Sequence, residues 1–286
     1  MNKGYICVVQ NNDNVDYLRA AYALALSLNN TQSKVKKLSI VTDIKVPKKY
    51  KYAFDEVISI KKDRAKNAGW KLHNLVDLYE YSPYDETVIL DSDMLFLSDI
   101  SHWWDTLTKK DIWFTTNTKT FRDELSPTNT IYRQQFIKNE LPSIYMAFFY
   151  FKKCDDAKIL FNMAKGICEN WKEVETTYLK KMKPGIFSTD ITFALATKLT
   201  GLTEKATMPQ FPFPYFTHMK TENQNWDLDG YKVHEDWRKY INVSFDEFNS
   251  SLGIKLGTLR QFAPLHYYIK EFLTDDMIKI LKANYE

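Results

Sequence analysis

Two aspartates at the end of an apolar run are the side chains best placed to do chemistry. In the segment TVILDSDMLFLSDI (residues 87–100), Asp91 and Asp93 follow one apolar run and precede another. A short continuous apolar run is typical of a buried parallel strand, and ligands of open α/β sheets bind beyond the carboxyl ends of such strands. Alternate residues of an extended chain point the same way, so both carboxylates could bind one hard cation. The pattern predicts a metal-dependent site.

The segments before these aspartates alternate between strand and helix patterns. They predict, in order, a strand, a helix, two strands and a helix, at residues 4–9, 17–28, 38–41, 56–60 and 70–78. Strands separated by helices predict an α/β fold with a mostly parallel sheet that is flanked by helices.

The later segments continue with a less regular pattern. They predict helices at residues 103–107, 156–169, 188–199 and 273–281, and strands at residues 112–115 and 144–151. Ser188 and Thr274 are the expected N-caps of the last two helices. No segment has the composition of a flexible linker, so we expect one domain over residues 1–286.

The composition excludes several classes of protein. With 286 residues, of which 44% are hydrophobic and 26% charged, the chain is predicted to be soluble and globular. A net charge of +3 is too small to indicate nucleic-acid binding. Eight glycines argue against Gly-rich phosphate loops and against repeat architectures.

The cysteines and the apolar segments predict a location. Cys7, Cys154 and Cys168 are an odd number without metal-type spacing, which predicts reduced, structural thiols. No segment approaches the roughly 18 apolar residues that span a bilayer. We therefore expect a cytoplasmic protein without a transmembrane segment.

The sequence around the two aspartates resembles the Asp-x-Asp motif of the GT-A glycosyltransferases. Its setting, VILDSDMLFLSDI, is similar to family 8, which includes glycogenin and retaining galactosyltransferases. The resemblance implies a GT-A fold and a hexosyltransferase that uses a UDP-sugar, with retention of configuration. It also implies that Asp91 and Asp93 hold Mn²⁺, or Mg²⁺, against the donor diphosphate. The tripeptide pattern recurs at Asp227-Leu228-Asp229, where no strand precedes it.

A histidine is expected to complete the metal site, because Mn²⁺ accepts imidazole nitrogen better than Mg²⁺ does. In the family, a histidine of the C-terminal part is the third ligand, and a nearby lysine contacts the diphosphate. His218 and Lys220 fit this pattern best, although the Pro-Trp that follows the family lysine is missing. His266, with Lys270, is the alternative pair.

Donor binding is predicted at the carboxyl end of the first strand. Gln10, Asn12 and Tyr17 match the region where family members bind the nucleobase and ribose, and their amide and aromatic groups suit that role. A polar turn that caps a helix explains the same residues. Lys71 matches a basic residue near the donor phosphates, and Ser92 lies between the two aspartates.

The donor sugar is expected near two later segments. Asp190 lies where family members carry an aspartate that lines the sugar pocket, although Ser188 and Asp190 are also explained as a helix start. We assign catalytic roles to Asp190 and Lys220; Asp190 orients or stabilises the sugar rather than attacking it. The stretch at 142–151 resembles the family's Phe-Asn-Ser-Gly strand without its asparagine and glycine, which places Ser143, Tyr145 and Met146 near the sugar.

The resemblance divides the chain by role. Residues 1–100 form the nucleotide-binding half, 101–220 the donor-sugar and metal half, and 221–286 an extension on the acceptor side. The acceptor is open between a glycan, a lipid-linked sugar, a protein and a modified nucleobase, and a homodimer also stays open.

Three other functions are compatible with parts of the sequence. A metal-dependent nucleotidyltransferase would also use two carboxylates, but its Gly-rich loop is missing. A catalytically silent carbohydrate-binding protein would explain the missing family elements. Residues 225–236 approximate an EF-hand calcium loop, but they begin with asparagine and end with aspartate instead of glutamate.

Overall fold

Strands and helices alternate along the first half of the chain, as the sequence predicts. The computed structural model describes residues 1–66, 68–69, 71–126, 130, 132–179, 187–219, 241–246, 251–256, 259–267 and 270–285. The strands are β1 (Lys3–Val9), β2 (Leu38–Thr42), β3 (Val57–Ser59), β4 (Glu86–Leu90), β5 (Met94–Leu95), β6 (Ile112–Thr115), β7 (Tyr145–Lys152), β8 (Thr217–His218), β9 (Ile241–Asp246), β10 (Ser251–Leu256), β11 (Leu259–Gln261) and β12 (Leu265–His266).

Most helices lie between these strands. The α-helices are α1 (Tyr17–Thr31), α2 (Lys48–Lys51), α3 (Leu78–Tyr81), α4 (Trp104–Leu107), α5 (Gln134–Lys138), α6 (Asp155–Glu169), α7 (Trp171–Tyr178), α8 (Thr189–Leu199), α9 (Thr203–Ala206) and α10 (Asp275–Ala283). Short 3₁₀ helices are at His73–Asp77, Ser101–Trp103 and Lys270–Phe272. Among the described residues, none of these helices has the length and apolar character needed to cross a bilayer.

The central sheet has six strands in the order β3-β2-β1-β4-β7-β6. β1 pairs in parallel with β2 and β4, and β2 pairs in parallel with β3. β7 runs antiparallel to both β4 and β6. The predicted mixed, mostly parallel sheet is confirmed. Two smaller sheets have the strand orders β11-β10-β9 and β5-β12-β8.

Hydrophobic residues cover both faces of the central sheet. Alternate side chains of a strand point to opposite faces, and in β1 Cys7 packs with α1 and α10, whereas Ile6 packs with α6 and α8. Full burial of a side chain of this kind stabilises the fold by about 1.5–3 kcal/mol. Cys7 is free and fully buried, as expected for a structural thiol.

The predicted N-caps of two helices are confirmed. The Ser188 side chain accepts a hydrogen bond from the Ile191 backbone N–H at the start of α8. The Thr274 side chain accepts one from the Met277 backbone N–H at the start of α10. Each cap satisfies a backbone donor that the first helical turn leaves without a partner.

The helix predicted at residues 70–78 is wound more tightly than expected. A 3₁₀ helix spans His73–Asp77 and the short α3 follows it, while Trp70 lies outside the described residues. Side chains three apart in a 3₁₀ helix eclipse one another. Asn74 therefore bonds to Asp63 while Asp77 pairs with Arg64, so both side chains reach the same preceding segment.

Candidate active site

The chain presents the two predicted metal-binding carboxylates directly after β4. The Asp91 backbone N–H donates to the Ala147 carbonyl of β7 at 3.1 Å, which continues the pairing one residue past the end of β4. The chain then turns at Ser92 and Asp93 and enters β5. Asp91 and Asp93 thus lie at the strand end where the sequence places them.

β12 brings His266 to the same point. It pairs with β5 so that His266 lies opposite Met94, and the Tyr267 backbone N–H donates to the Asp93 carbonyl at 3.1 Å. His266 Nε2 is 3.5 Å from Asp91 Oδ2 and 3.3 Å from Asp93 Oδ1. One ligand atom from each of the three residues lies within 4.8 Å of the other two.

We call Asp91, Asp93 and His266 the metal cluster. Two carboxylate oxygens and one imidazole nitrogen form a donor set that suits Mn²⁺, since hard cations take oxygen ligands and imidazole suits transition metals. The spacing of the three donors is compatible with one shared ion. The chemistry of the residues present therefore fits the divalent ion that the sequence predicts.

Lys270 lies against this cluster. Its Nζ forms an ion pair with Asp93 Oδ2, and it lies 5.4 Å from the centroid of the Tyr17 ring. The Lys270 side chain keeps 24% of its surface exposed. A partly exposed ammonium group beside the cluster can contact an anionic ligand that binds there.

The charges of the cluster shift its pKa values in opposite directions. Burial, with Asp93 and Asp190 nearby, raises the pKa of Asp91 to about 6 despite the attraction of His266. Burial also acts to raise the pKa of Asp93, but His266 and Lys270 outweigh it and hold that pKa below its usual range. Burial acts to lower the pKa of His266, but the two carboxylates raise it overall. The two carboxylates thus stabilise positive charge on neighbouring groups, namely the imidazole of His266 and the ammonium group of Lys270.

His218 lies beside the cluster, but His266 faces the carboxylates. β8 and β12 are parallel neighbours with His218 paired to His266, and the two imidazole rings stack with centroids 4.9 Å apart and planes 5° apart. Among the described residues, the metal cluster includes His266, which the sequence left as the alternative ligand, and does not include His218. Lys220, which was predicted with His218, lies outside the described residues.

Asp190 is held in the first turn of α8. Its Oδ1 accepts a hydrogen bond from the Met146 backbone N–H at 2.9 Å, and its Oδ2 accepts from Arg133 and Tyr132, both at 3.2 Å. Met146 is followed by Ala147, whose carbonyl accepts the hydrogen bond from the Asp91 backbone N–H, so neighbouring residues of β7 bind Asp190 and Asp91. The structure therefore brings Asp190 near the metal cluster.

Two residues predicted to bind the nucleoside are engaged in hydrogen bonds within the protein. Gln10 is buried; its Nε2 donates to Asp43 Oδ2 at 3.0 Å, and its Oε1 accepts from Asn74 Nδ2 at 2.5 Å. Asn12 Oδ1 accepts from the backbone N–H groups of residues 14 and 15. Asn12 therefore forms the polar turn that was the alternative explanation of this segment.

The other predicted donor-binding residues divide between the cluster and a loop. Tyr17 starts α1 next to Lys270, and Ser92 is buried at the turn that joins Asp91 to Asp93 in the chain. Lys71 Nζ donates instead to the carbonyls of Ala65 and Lys66, at 2.8 and 3.2 Å. Lys71 is therefore engaged with the backbone of the preceding loop.

Several polar residues near the site were not predicted from the sequence. Asp43 follows β2 as Asp91 follows β4, so its position at a strand end was an available signal. Arg133 and Tyr132 carried no such signal, because they lie in an irregular segment before a short helix. Only the contacts with Asp190 reveal their importance.

No protein-family model matches the sequence, and no curated protein matches it. Solved structures do match. The galactosyltransferase LgtC, crystallised with donor and acceptor sugar analogues, is similar with a TM-score of 0.54 and 14% identity, over 98% of this chain and 95% of the LgtC chain. An active-site mutant of LgtC is similar with a TM-score of 0.51 and 12% identity, over 98% and 94% of the two chains.

A third similar structure is matched over only part of its chain. The glycosyltransferase GlyE of Streptococcus pneumoniae gives a TM-score of 0.41 and 10% identity over 72% of this chain, which spans only 45% of the GlyE chain. The assignment of the fold rests on the two LgtC structures, which cover almost the whole chain. The protein has the GT-A fold of glycosyltransferases and resembles family 8.

Proposed function

We propose that the protein is a metal-dependent glycosyltransferase that moves a hexose from a UDP-sugar to a hydroxyl acceptor, with retention of configuration. The observation that carries the proposal is the metal cluster at the end of β4, in a chain with the GT-A fold. Asp91, Asp93 and His266 supply three donor atoms within 4.8 Å. The UDP, the hexose and the retention come from the resemblance to family 8.

A divalent ion held by the metal cluster, together with Lys270, would supply the positive charge that the reaction needs. In this proposal, Asp91, Asp93 and His266 hold a divalent ion, Mn²⁺ or Mg²⁺, which neutralises the departing diphosphate when bound. Lys270 leaves its ion pair with Asp93 and contacts a phosphate oxygen. Positive charge that is fixed in place before the reaction is usually a large part of enzymatic rate enhancement.

The remaining predicted residues take supporting roles. Tyr17, which is beside Lys270, would contact the diphosphate, and Ser92, which is buried next to Asp91 and Asp93 in the chain, would contact the donor. Gln10 orders the end of β1 through its bonds with Asp43 and Asn74. Asn12 shapes the turn at the nucleoside, and we retain Lys71 and Lys220 as further phosphate contacts.

Asp190 orients the donor sugar in this proposal. Three hydrogen-bond donors already stabilise its negative charge, which makes its carboxylate a weak nucleophile. This supports a reaction in which the acceptor hydroxyl attacks directly and a departing phosphate oxygen helps to accept its proton. The acceptor is a sugar hydroxyl by analogy with LgtC, whose structure contains donor and acceptor sugar analogues.

A screen of donors tests the proposal. The purified protein is incubated with Mn²⁺ and each of a panel of nucleotide sugars, with and without simple sugar acceptors, and the release of free nucleotide is measured. We expect UDP release that depends on Mn²⁺ and that Asp93→Asn abolishes. NMR of the product gives the anomeric configuration, and an inverted product would contradict retention.

The same screen separates the competing functions. A silent carbohydrate-binding protein would release no nucleotide from any donor. A nucleotidyltransferase would release pyrophosphate from a nucleoside triphosphate and a sugar phosphate, so these two substrates are included. UDP release that is unchanged in Asp93→Asn would contradict the role of the metal cluster.

A further inference from the structure

The carboxylate of Asp190 is fixed in orientation by three hydrogen-bond donors. The Met146 backbone N–H binds Oδ1 at 2.9 Å, while Arg133 Nη2 and the Tyr132 hydroxyl bind Oδ2, both at 3.2 Å. An ionised carboxylate offers about four acceptor positions. Considering only the part of the chain that the structure describes, one position is left, and it is on Oδ1.

Arg133 is itself held on three sides. Its Nη1 donates to the Ile144 carbonyl at 2.7 Å, and its guanidinium carbon lies 3.3 Å from the centroid of the Tyr145 ring. Only 6% of its side chain is exposed. A buried guanidinium requires a charged partner, because an unpaired buried charge is strongly destabilising. Arg133 and Asp190 therefore fix each other.

Tyr132 adds a second donor on the same oxygen. Its hydroxyl lies 2.6 Å from the hydroxyl of Ser188 and 3.2 Å from Asp190 Oδ2. Burial, together with the nearby charge of Asp190, raises the pKa of Tyr132 far above its usual value, so the hydroxyl keeps its proton. Ser188 then donates to Tyr132, and Tyr132 donates to Asp190.

The same group of side chains is linked to the metal cluster through His218. The Tyr145 ring packs edge-on against His218, with centroids 6.0 Å apart and planes at 89°, and His218 stacks on His266. The Met146 backbone N–H binds Asp190, and the carbonyl of the next residue, Ala147, accepts from the Asp91 backbone N–H. The orientation of Asp190 is thus set relative to the cluster, where the donor diphosphate binds in the proposed function.

We propose that Arg133 and Tyr132 are positioning residues that aim the free acceptor position of Asp190 at one hydroxyl of the donor sugar. The inference rests on the proposed function and deepens it. Asp190 then accepts a hydrogen bond from a single hydroxyl of the sugar, since one acceptor position can take one hydrogen bond. Arg133 and Tyr132 act only through Asp190 and do not touch the sugar.

The test measures how Arg133 affects the recognition of single hydroxyls. The probes are UDP-galactose or UDP-glucose, whichever the wild-type protein hydrolyses faster with Mn²⁺, and the derivatives that lack the hydroxyl at C2, C3, C4 or C6. We expect one derivative to lose about 10- to 100-fold in kcat/KM, as for hydrogen bonds to charged groups. The other derivatives lose much less.

Arg133→Lys should remove this discrimination. Lysine is a point charge and cannot bind the Ile144 carbonyl, the Tyr145 ring and Asp190 together. We expect the penalty for the sensitive derivative to fall to about 3-fold or less, because two changes to one contact are not additive. Tyr132→Phe removes only a hydroxyl, so it carries the test if Arg133→Lys does not fold, and we expect it to reduce the penalty.

Arg64→Lys is the matched control. Arg64 forms another arginine–aspartate pair with little exposure, with Nε 2.6 Å from Asp77 Oδ2 and 9% of its side chain exposed. We expect this variant to lower Tm and to keep the full penalty for the sensitive derivative. A reduced penalty in Arg64→Lys would mean that general loss of stability causes the effect, which would overturn the proposal.

The remaining outcomes separate this inference from the proposed function. A wild-type protein that hydrolyses a UDP-sugar, with an undiminished penalty in Arg133→Lys and Tyr132→Phe, would overturn the positioning role alone. A wild-type protein that neither hydrolyses UDP-galactose or UDP-glucose nor gains thermal stability from UDP with Mn²⁺ would overturn the proposed function and this inference together.

Discussion

His266, and not His218, is expected to be the third metal ligand, and replacing each by alanine distinguishes them. His266 Nε2 lies 3.5 Å from Asp91 Oδ2 and 3.3 Å from Asp93 Oδ1, so the imidazole shares a site with both carboxylates. His218 contacts the His266 ring by stacking at 4.9 Å. It supports the ligand without belonging to the cluster.

The two substitutions should therefore differ in magnitude. His266→Ala removes one of three donor atoms, and we expect the affinity for Mn²⁺ to fall by about 100-fold or more, which is about 2.7 kcal/mol. His218→Ala removes a group that orients the ligand, and such changes cost about 10- to 100-fold in affinity. We expect about 10-fold, or about 1.4 kcal/mol, because a stacked ring restrains the imidazole without a hydrogen bond.

Isothermal titration calorimetry with Mn²⁺ at pH 7.5 measures both effects. This pH lies above the pKa of about 6 that burial gives Asp91, so protons compete little for the carboxylates. His102→Ala is the control, since His102 is exposed in a 3₁₀ helix. A loss in His218→Ala that equals or exceeds the loss in His266→Ala would refute the reasoning.

Three further changes test other parts of the structure. Asp93→Asn should reduce Mn²⁺-dependent donor turnover below detection while its far-ultraviolet circular dichroism matches the wild type; full activity would contradict the role of the metal cluster. Lys270→Met should raise KM for the donor about 10-fold, the effect of one lost charged hydrogen bond, but should not weaken Mn²⁺ binding, because Lys270 pairs with Asp93 in the metal-free protein; weaker Mn²⁺ binding would contradict this. Gly4→Ala should lower the free energy of unfolding by about 1–3 kcal/mol, since a Cβ there would lie 2.4 Å from the buried Tyr84 ring; an unchanged urea midpoint would contradict that overlap.

Local patterns in the sequence were sufficient for much of the fold. Apolar runs and helical spacing predicted β1, α1, β4, β7 and α6, because burial on one face gives apolar residues a regular spacing and burial on both faces gives a continuous apolar run. Ser188 and Thr274 were predicted as N-caps because a cap bonds to a backbone group only three residues away. Asp91 and Asp93 were also predicted from a local pattern, because they directly follow the apolar run that forms β4.

Contacts between segments that are distant in the chain could not be predicted from local sequence patterns. The sequence contains two candidate histidines, His218 and His266, each with a lysine nearby. His218 was the preferred candidate because its position along the chain matches the order of segments in the family. The pairing of β12 with β5 placed His266 against the carboxylates and left His218 on the neighbouring strand. A shift of one residue in strand register turns every side chain to the other face, so the choice depended on pairing that no local pattern specifies.

The sequence by itself determined the order of strands and helices and the carboxylates at the end of β4. The tertiary structure alone decided that His266 and Lys270 join those carboxylates, that Gln10 is occupied by Asp43 and Asn74, and that Arg133 holds Asp190. Secondary structure depends on neighbours within a few residues of the chain. A site depends on side chains that strand pairing and helix packing bring together from far apart.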